Sequence, residues 1–188
     1  GNNPGSVKLF ELRDKVLGIV GLGAIGKKVA RLANAFGMRV QYYDIRRVSE
    51  AEEDALAVRF RLLNEILRTS DIISLHVPLT PASKHMIGAA ELAMMKPTSY
   101  LINTARGDIV DEYALTFALR EGQIAGAGLD VFEWEPTVVA ELREMEKAVL
   151  LPHMGSGTIE TRTAMGMRAL ANIDAFVAGQ RPPDLVEF

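Results

Sequence analysis

Short apolar runs alternate along the chain with longer stretches in which apolar residues recur every three or four positions. The apolar runs are Val16–Val20, Arg39–Tyr43, Val58–Leu62, Ile72–His76, Tyr100–Asn103, Ala127–Asp130 and Ala148–Leu151. They are short and lack polar alternation, which predicts strands buried on both faces. The stretches between them predict helices. Ile25–Phe36 would set Val29, Leu32, Ala33 and Phe36 on one face, and Asn64–Thr69 stops before Ser70-Asp71. Ala89–Met95 ends ahead of Lys96-Pro97, and Glu112–Gly122 opens after Asp111, a residue type suited to an N-cap. Thr158–Ala178 is the longest; it ends at Gly179, and Pro182-Pro183 forbids further helix. The charged segment Arg46–Ala55, with Glu50, Glu52, Glu53 and Asp54, reads as a solvated loop. Repeated β-α-β order predicts a doubly wound α/β fold, with a mostly parallel sheet of about seven strands and helices on both faces.

The first strand leads straight into Gly21-Leu22-Gly23-Ala24-Ile25-Gly26 and then a helix. The spacing has a mechanical sense. Gly21 permits a tight turn, Gly23 lets the backbone approach a pyrophosphate, and Gly26 lets helix and strand pack closely. The helix start offers free N–H groups and a positive dipole end to phosphates. A second strand ends in Asp44, roughly 20 residues on, where a carboxylate can accept from adenosine ribose hydroxyls. That combination specifies a Rossmann-type dinucleotide site; a glycine turn with an unrelated surface aspartate is the ordinary alternative. A carboxylate at position 44 repels a 2′-phosphate, so NAD is expected over NADP. Arg46 and Arg47 lie close enough to soften that preference, or are solvated surface charges.

Composition narrows the reading without redirecting it. The 188 residues carry a formal net charge of −3 and are 48% hydrophobic, an ordinary globular balance. With no cysteine, disulfides and thiolate chemistry are excluded, which agrees with a reducing, cytoplasmic setting. No basic run points to nucleic acid, and no apolar run reaches the roughly 18 residues of a membrane span. Gly1–Ser6 has neither the charged nor the apolar part of a signal peptide. Residues 1–11 are expected to form a leader or edge segment. Met94, Met95, Met165 and Met167 read as helix packing.

Ligands of open α/β sheets sit beyond the carboxyl ends of the strands, and polar residues gather there in this chain. His76-Val77-Pro78 closes one strand, Asn103-Thr104-Ala105-Arg106-Gly107 the next, Asp130 another with Glu135-Pro136 soon after, and Pro152-His153 the last. Reduction of a 2-oxo acid needs a guanidinium to hold the carboxylate and carbonyl, an acid to protonate the carbonyl oxygen, and a carboxylate to orient that acid. Arg106, His153 and Glu135 supply one of each. Taken singly, each has an ordinary alternative: an ion pair at a helix cap, a satisfied buried histidine, a solvated loop acid. Of the other histidines, His76 closes the nicotinamide side of the cleft or is structural, and His85 reads as a loop residue. No His/Asp/Glu spacing suits a metal and no GxSxG elbow occurs, so no metal is expected.

The stretches LGIVGLGAIGKKVARLANAFGMRVQYYD, SDIISLHVPLTPASKHMIG, MKPTSYLINTARGDIVDEYAL, AGAGLDVFEWEP and LLPHMGSGT together resemble the D-isomer-specific 2-hydroxyacid dehydrogenase family. The resemblance implies Arg106 as the substrate-binding arginine, Glu135 as the histidine's partner and His153 as proton donor. It also implies cofactor contacts from Ala24, Ile25, Asp44, Val77 with Pro78, Thr104, Ala105, Arg106, Asp130, His153, Gly155 and Ser156, beside the three glycines. Asp130 would meet the carboxamide end of nicotinamide. The C-terminal stretch looks most like glyoxylate and hydroxypyruvate reductases. Ala24 stands where the family often has arginine, which removes one phosphate contact. Family members have two domains and form homodimers. On that pattern residues 12–157 are the NAD-binding domain, and 158–188 a long helix and a return towards an N-terminal substrate-binding domain that this chain lacks. The isolated chain is therefore expected to turn substrate over poorly. A dinucleotide-sensing, corepressor-like module is the alternative function, against which the retained Arg106, Glu135 and His153 argue. Formate and phosphite are further candidate substrates, but the additional residues they need are not identified.

Overall fold

The computed structural model describes residues 10–186. Most of the expected leader, and the last two residues of the expected return segment, lie outside the described residues. The chain divides into two compact units, one up to Pro152 and the other from His153 onward.

The first unit is built from β1 (Val16–Val20), α1 (Ala24–Ala35), β2 (Arg39–Tyr43), α2 (Glu50–Leu56), β3 (Val58–Phe60), α3 (Leu63–Thr69), β4 (Ile72–Leu75), α4 (Ala89–Met94), β5 (Tyr100–Asn103), α5 (Glu112–Arg120), β6 (Gly126–Leu129), α6 (Ala140–Arg143) and β7 (Ala148–Leu150). All seven strands pair in parallel in the order 3-2-1-4-5-6-7. The seven predicted strands are present, several of them one or two residues shorter at an end. The register matters for function. Tyr43, Val20, Leu75, Asn103, Leu129 and Leu150 stand side by side across the sheet, so the strands end on one line.

Alternation within the strands divides the core in two. Leu17 and Ile19 of β1 join Val40, Tyr42 and Val58 under α1 and α2. Val20 joins Ile73, Leu75, Leu101 and Leu129 with Ile66 and Leu67 of α3, Leu92 of α4 and Leu115 and Leu119 of α5. Each fully buried aliphatic side chain of this kind stabilises by roughly 1.5–3 kcal/mol relative to exposure.

Two expectations about the first unit need correction, and in the second unit Met165 and Met167, expected as helix packing, are exposed. The inward face of α1 is Gly26, Ala30 and Ala33, whereas Leu32 and Phe36 are 63% and 62% exposed. Small residues let this helix lie close on the sheet, and that closeness turns the larger ones outward. The second correction concerns Arg46–Ala55, which is no solvated loop throughout: Glu50–Leu56 is helical. Ser49 caps it by accepting from the Glu52 N–H at 3.3 Å, and Glu50, Glu52 and Glu53 in the first turn complement the helix dipole. Glu53 is buried, accepting from the Tyr42 hydroxyl at 3.0 Å and from Arg47 Nε at 2.8 Å. The Arg47 hydrogen bond holds the Glu53 carboxyl below its usual pKa against the opposing effect of burial, with Tyr42 assisting. Arg47 is thus committed to an ion pair rather than being a free surface charge.

The second unit is chiefly α7 (Ile159–Val177), capped by Thr158, whose hydroxyl accepts from the Thr161 N–H at 3.2 Å. The chain after α7 is tied to it. Arg168 grips Asp184 through two hydrogen bonds of 2.5 and 2.6 Å, and the Asn172 side-chain amide donates to the same carboxylate at 2.7 Å. No helix of the described residues is long and apolar enough to cross a membrane.

Candidate functional site

Because the strands are parallel and end in register, the residues after them form a second line along one edge: Asp44, Gly21, His76, Thr104 and Asp130. Strand order reverses between β1 and β4, and the glycine loop lies at that point, where open α/β sheets take their ligands.

Gly21 adopts φ +98°, a region costly for any other residue, and a Cβ there would lie 2.8 Å from the His76 carbonyl carbon. A Cβ on Gly26 would overlap the Gly21 carbonyl oxygen. These two glycines are required by the protein's own packing. Gly23 differs: it is exposed, extended at φ −76° and ψ −163°, and a Cβ there would have open space within 4 Å. It is the N-cap of α1, provides no capping side chain, and is followed by a first turn without acidic residues. The space beside Gly23 and the start of a twelve-residue helix fit a pyrophosphate.

Asp44 is wired to this loop. Its Oδ2 accepts from the Leu22 N–H at 2.8 Å and its Oδ1 from the Arg46 N–H at 3.0 Å. A carboxylate has about four lone-pair sites, so both oxygens keep capacity for ribose hydroxyls. The Leu22 bond also ties Asp44 to the glycine loop.

Further along the edge, Asn103 is 1% exposed and shapes the arginine's turn. Its Nδ2 donates to the Arg106 carbonyl at 2.9 Å and its Oδ1 accepts from the Ala105 N–H at 3.1 Å. Thr104 and Arg106 are exposed, and Arg106 Nη1 donates to the Ala105 carbonyl at 2.6 Å. Asp130 is 4% exposed, with its N–H donating to the Asn103 carbonyl at 3.0 Å. Glu135 is exposed on the turn that follows, and its Oε1 accepts from the Phe132 N–H at 2.9 Å. Val77 is half-buried and Pro78 exposed beyond β4. Burial lowers the His76 imidazole pKa, favouring the neutral ring, and its Nε2 lies 2.9 Å from the Ser74 hydroxyl. His85 is a turn residue at φ +50° whose Nε2 meets Glu133 Oε1 at 2.8 Å.

The first unit therefore brings together Gly21, Gly23, Ala24, Ile25, Gly26, Asp44, Val77, Pro78, Thr104, Ala105, Arg106, Asp130 and Glu135 on one edge. His153, Gly155 and Ser156 belong to the second unit, where His153 has φ +50°. The described residues contain no group of three or more His, Cys, Asp or Glu side chains arranged to hold a metal ion. Asn103 and the Leu22 amide, which hold the Arg106 turn and Asp44 on this edge, had no role in the sequence reading. Asn103 announces itself only by closing a strand; the amide leaves no sequence signal.

A parallel sheet with a glycine turn at its switch point and a carboxylate on the adjacent strand end defines a dinucleotide-binding domain. Residues 2–155 match the family described as D-isomer specific 2-hydroxyacid dehydrogenase, NAD binding domain, and the chain belongs to that family. It is 50% identical over 177 residues to a glyoxylate reductase of Thermococcus litoralis, covering 94% of this chain and 53% of that protein. Among solved structures it resembles a glyoxylate reductase from Paecilomyes thermophila, with a TM-score of 0.85, 41% identity and coverage of 91% and 52% of the two chains. A D-lactate dehydrogenase from Aquifex aeolicus, complexed with NAD and lactic acid, superimposes with a TM-score of 0.86 at 34% identity over 95% of this chain and 58% of the other. The chain spans about half the length of the curated relatives it matches.

Proposed function

We propose that the chain binds NAD(H) in preference to its 2′-phosphorylated counterpart and supplies the cofactor half of a glyoxylate- or hydroxypyruvate-type reductase. The observation carrying this reading is the single edge that presents the glycine loop, Asp44, Arg106 and Glu135 together. The similarity to glyoxylate reductases supports the substrate class.

When bound, the reduced nicotinamide supplies hydride for the substrate carbonyl carbon. In this reading the remaining work falls to side chains. Arg106, on the turn fixed by Asn103, pairs with the substrate carboxylate and orients its carbonyl. His153 gives a proton to the carbonyl oxygen, so that a 2-oxo acid leaves as a 2-hydroxy acid. Glu135 favours the charged, correctly turned imidazole. Asp130 meets the nicotinamide carboxamide, and Gly155 and Ser156 complete the contacts near His153. Residues 12–157 act as the cofactor domain and 158–188 lead back to a substrate-binding domain.

Calorimetry tests the cofactor half directly. NADH is expected to bind at least tenfold more tightly than NADPH, because Asp44 repels a 2′-phosphate and Arg47 is held by Glu53. Asp44→Asn is expected to narrow that ratio. Equal affinities in the parent would sink the preference, and no binding of either would sink the cofactor reading. For the substrate half, the chain joined behind the N-terminal half of the Thermococcus litoralis relative is expected to oxidise NADH when glyoxylate is added. Silence of that chimera with glyoxylate and hydroxypyruvate alike, despite NADH binding, would refute the substrate class.

A further inference from the structure

The turn carrying Glu135 runs outside regular structure, from the end of β6 to the start of α6, yet it is anchored from beneath. Glu112, the first residue of α5, is 4% exposed. Its Oε2 accepts from the Glu133 N–H at 3.0 Å and its Oε1 from the Val139 N–H at 2.8 Å. These two amides bracket Glu135. Inside the bracket the chain doubles back, the Thr137 N–H donating to the Trp134 carbonyl at 2.7 Å, and Glu135 itself accepts from Phe132 N–H.

A buried carboxylate is costly to desolvate, and an acid at a helix start is ordinarily explained by the helix dipole. Helix stabilisation alone does not require burial, nor does it require spending both oxygens on backbone 21 and 27 residues away. The same turn is fixed to the arginine's segment as well. Gly107, next to Arg106, packs so closely on the Phe132–Glu133 peptide that a Cβ would overlap it. The two segments therefore share one framework: Asn103 holds the Arg106 carbonyl, Gly107 holds the two backbones in contact, and Glu112 closes the bracket.

We propose that Glu112 is a positioning residue for Glu135, its carboxylate clamping both ends of the turn that presents that side chain to the site. The proposal rests on the reading of Glu135 as a site group. It takes the placement of the Glu135 carboxylate, rather than the stability of α5, as what the burial of Glu112 serves.

The test is NMR on the 15N-labelled full chain. In the parent, the Glu133 and Val139 amides are expected to exchange slowly, and the Phe132 amide shift is expected to report on the Glu135 carboxylate that it donates to, an assignment checked by its loss in Glu135→Gln. Glu112→Gln keeps the volume but replaces one acceptor by a donor. The variant is expected to exchange the Glu133 or Val139 amide at least tenfold faster and to lose at least half of the Phe132 titration. The Ala105 amide and the NADH Kd should stay within twofold of the parent. An unchanged Phe132 titration overturns the proposal, as does uniform loosening of α5 and β6. Where Glu112→Gln does not fold, Glu112→Asp, too short to span both amides, is read by the same Phe132 titration. Failure of both variants to fold overturns the proposal, since a clamp on one turn does not carry the domain. A parent chain that binds no NADH refutes the cofactor reading and leaves the Phe132 titration to decide the clamp.

Discussion

Gly23→Val is expected to fold almost as well as the parent and to lose NADH binding by at least a hundredfold, roughly 3 kcal/mol. The two halves of that expectation come from the same geometry. The backbone at Gly23 is extended, at φ −76° and ψ −163°, a conformation open to a β-branched residue. An added Cβ there meets no atom within 4 Å beyond its chain neighbours, so folding is expected to carry mainly the poorer N-cap preference of valine, about 1 kcal/mol. The same space lies at the start of α1, where the proposed cofactor site brings the pyrophosphate to backbone N–H groups. Branched methyls there deny it hydrogen-bond distance. Urea unfolding measures the first half and calorimetry the second. An NADH Kd within threefold of the parent would show that the phosphates lie elsewhere.

Much of this site was legible because its code is local. Gly21, Gly23 and Gly26 sit within six residues, and Asp44 follows at the end of the next strand, so a strand-turn-helix-strand reading was enough to place them. The polar residues after later strands were legible for a related reason: once all strands run one way, every carboxyl end falls on one edge. What escaped the sequence depends on size and distance. Apolar spacing alone put Val29, Leu32, Ala33 and Phe36 on one face of α1; Ala33 is buried and Val29 packs against the core, but close approach to the sheet adds Gly26 and Ala30 and leaves Leu32 and Phe36 outside. Four acids between Ser49 and Ala55 looked solvated because the partners of Glu53, Tyr42 and Arg47, are contributed by β2 and by the loop that follows it. Glu112 entered the sequence reading only as the first residue of a predicted helix, since its partners lie 21 and 27 residues on and are backbone amides, which no side-chain pattern betrays.

Gly107→Ala provides the converse experiment, in which the space at a glycine is filled by the protein itself. Its added Cβ would overlap the Phe132 carbonyl carbon and oxygen and the Glu133 nitrogen. Main-chain atoms cannot swing aside as the end of a flexible side chain can. The Phe132–Glu133 peptide is further held by the Glu112 hydrogen bond to Glu133 N–H and by the bond from Phe132 N–H to Glu135. Relief of the overlap must therefore separate the arginine's turn from the glutamate's turn. Overpacking against a fixed backbone costs about 2–3 kcal/mol, which urea unfolding would register as a lower midpoint at unchanged slope. The glycine loop and Asp44 lie on other strand ends, so NADH affinity should fall far less than in Gly23→Val. A stability loss under about 0.5 kcal/mol would mean that the two turns are not locked together, and the shared framework for Arg106 and Glu135 would fall with it. Large destabilisation with NADH binding retained would separate two functions of glycine in one domain: at Gly23 it leaves room for a ligand, and at Gly107 it lets two pieces of the site touch.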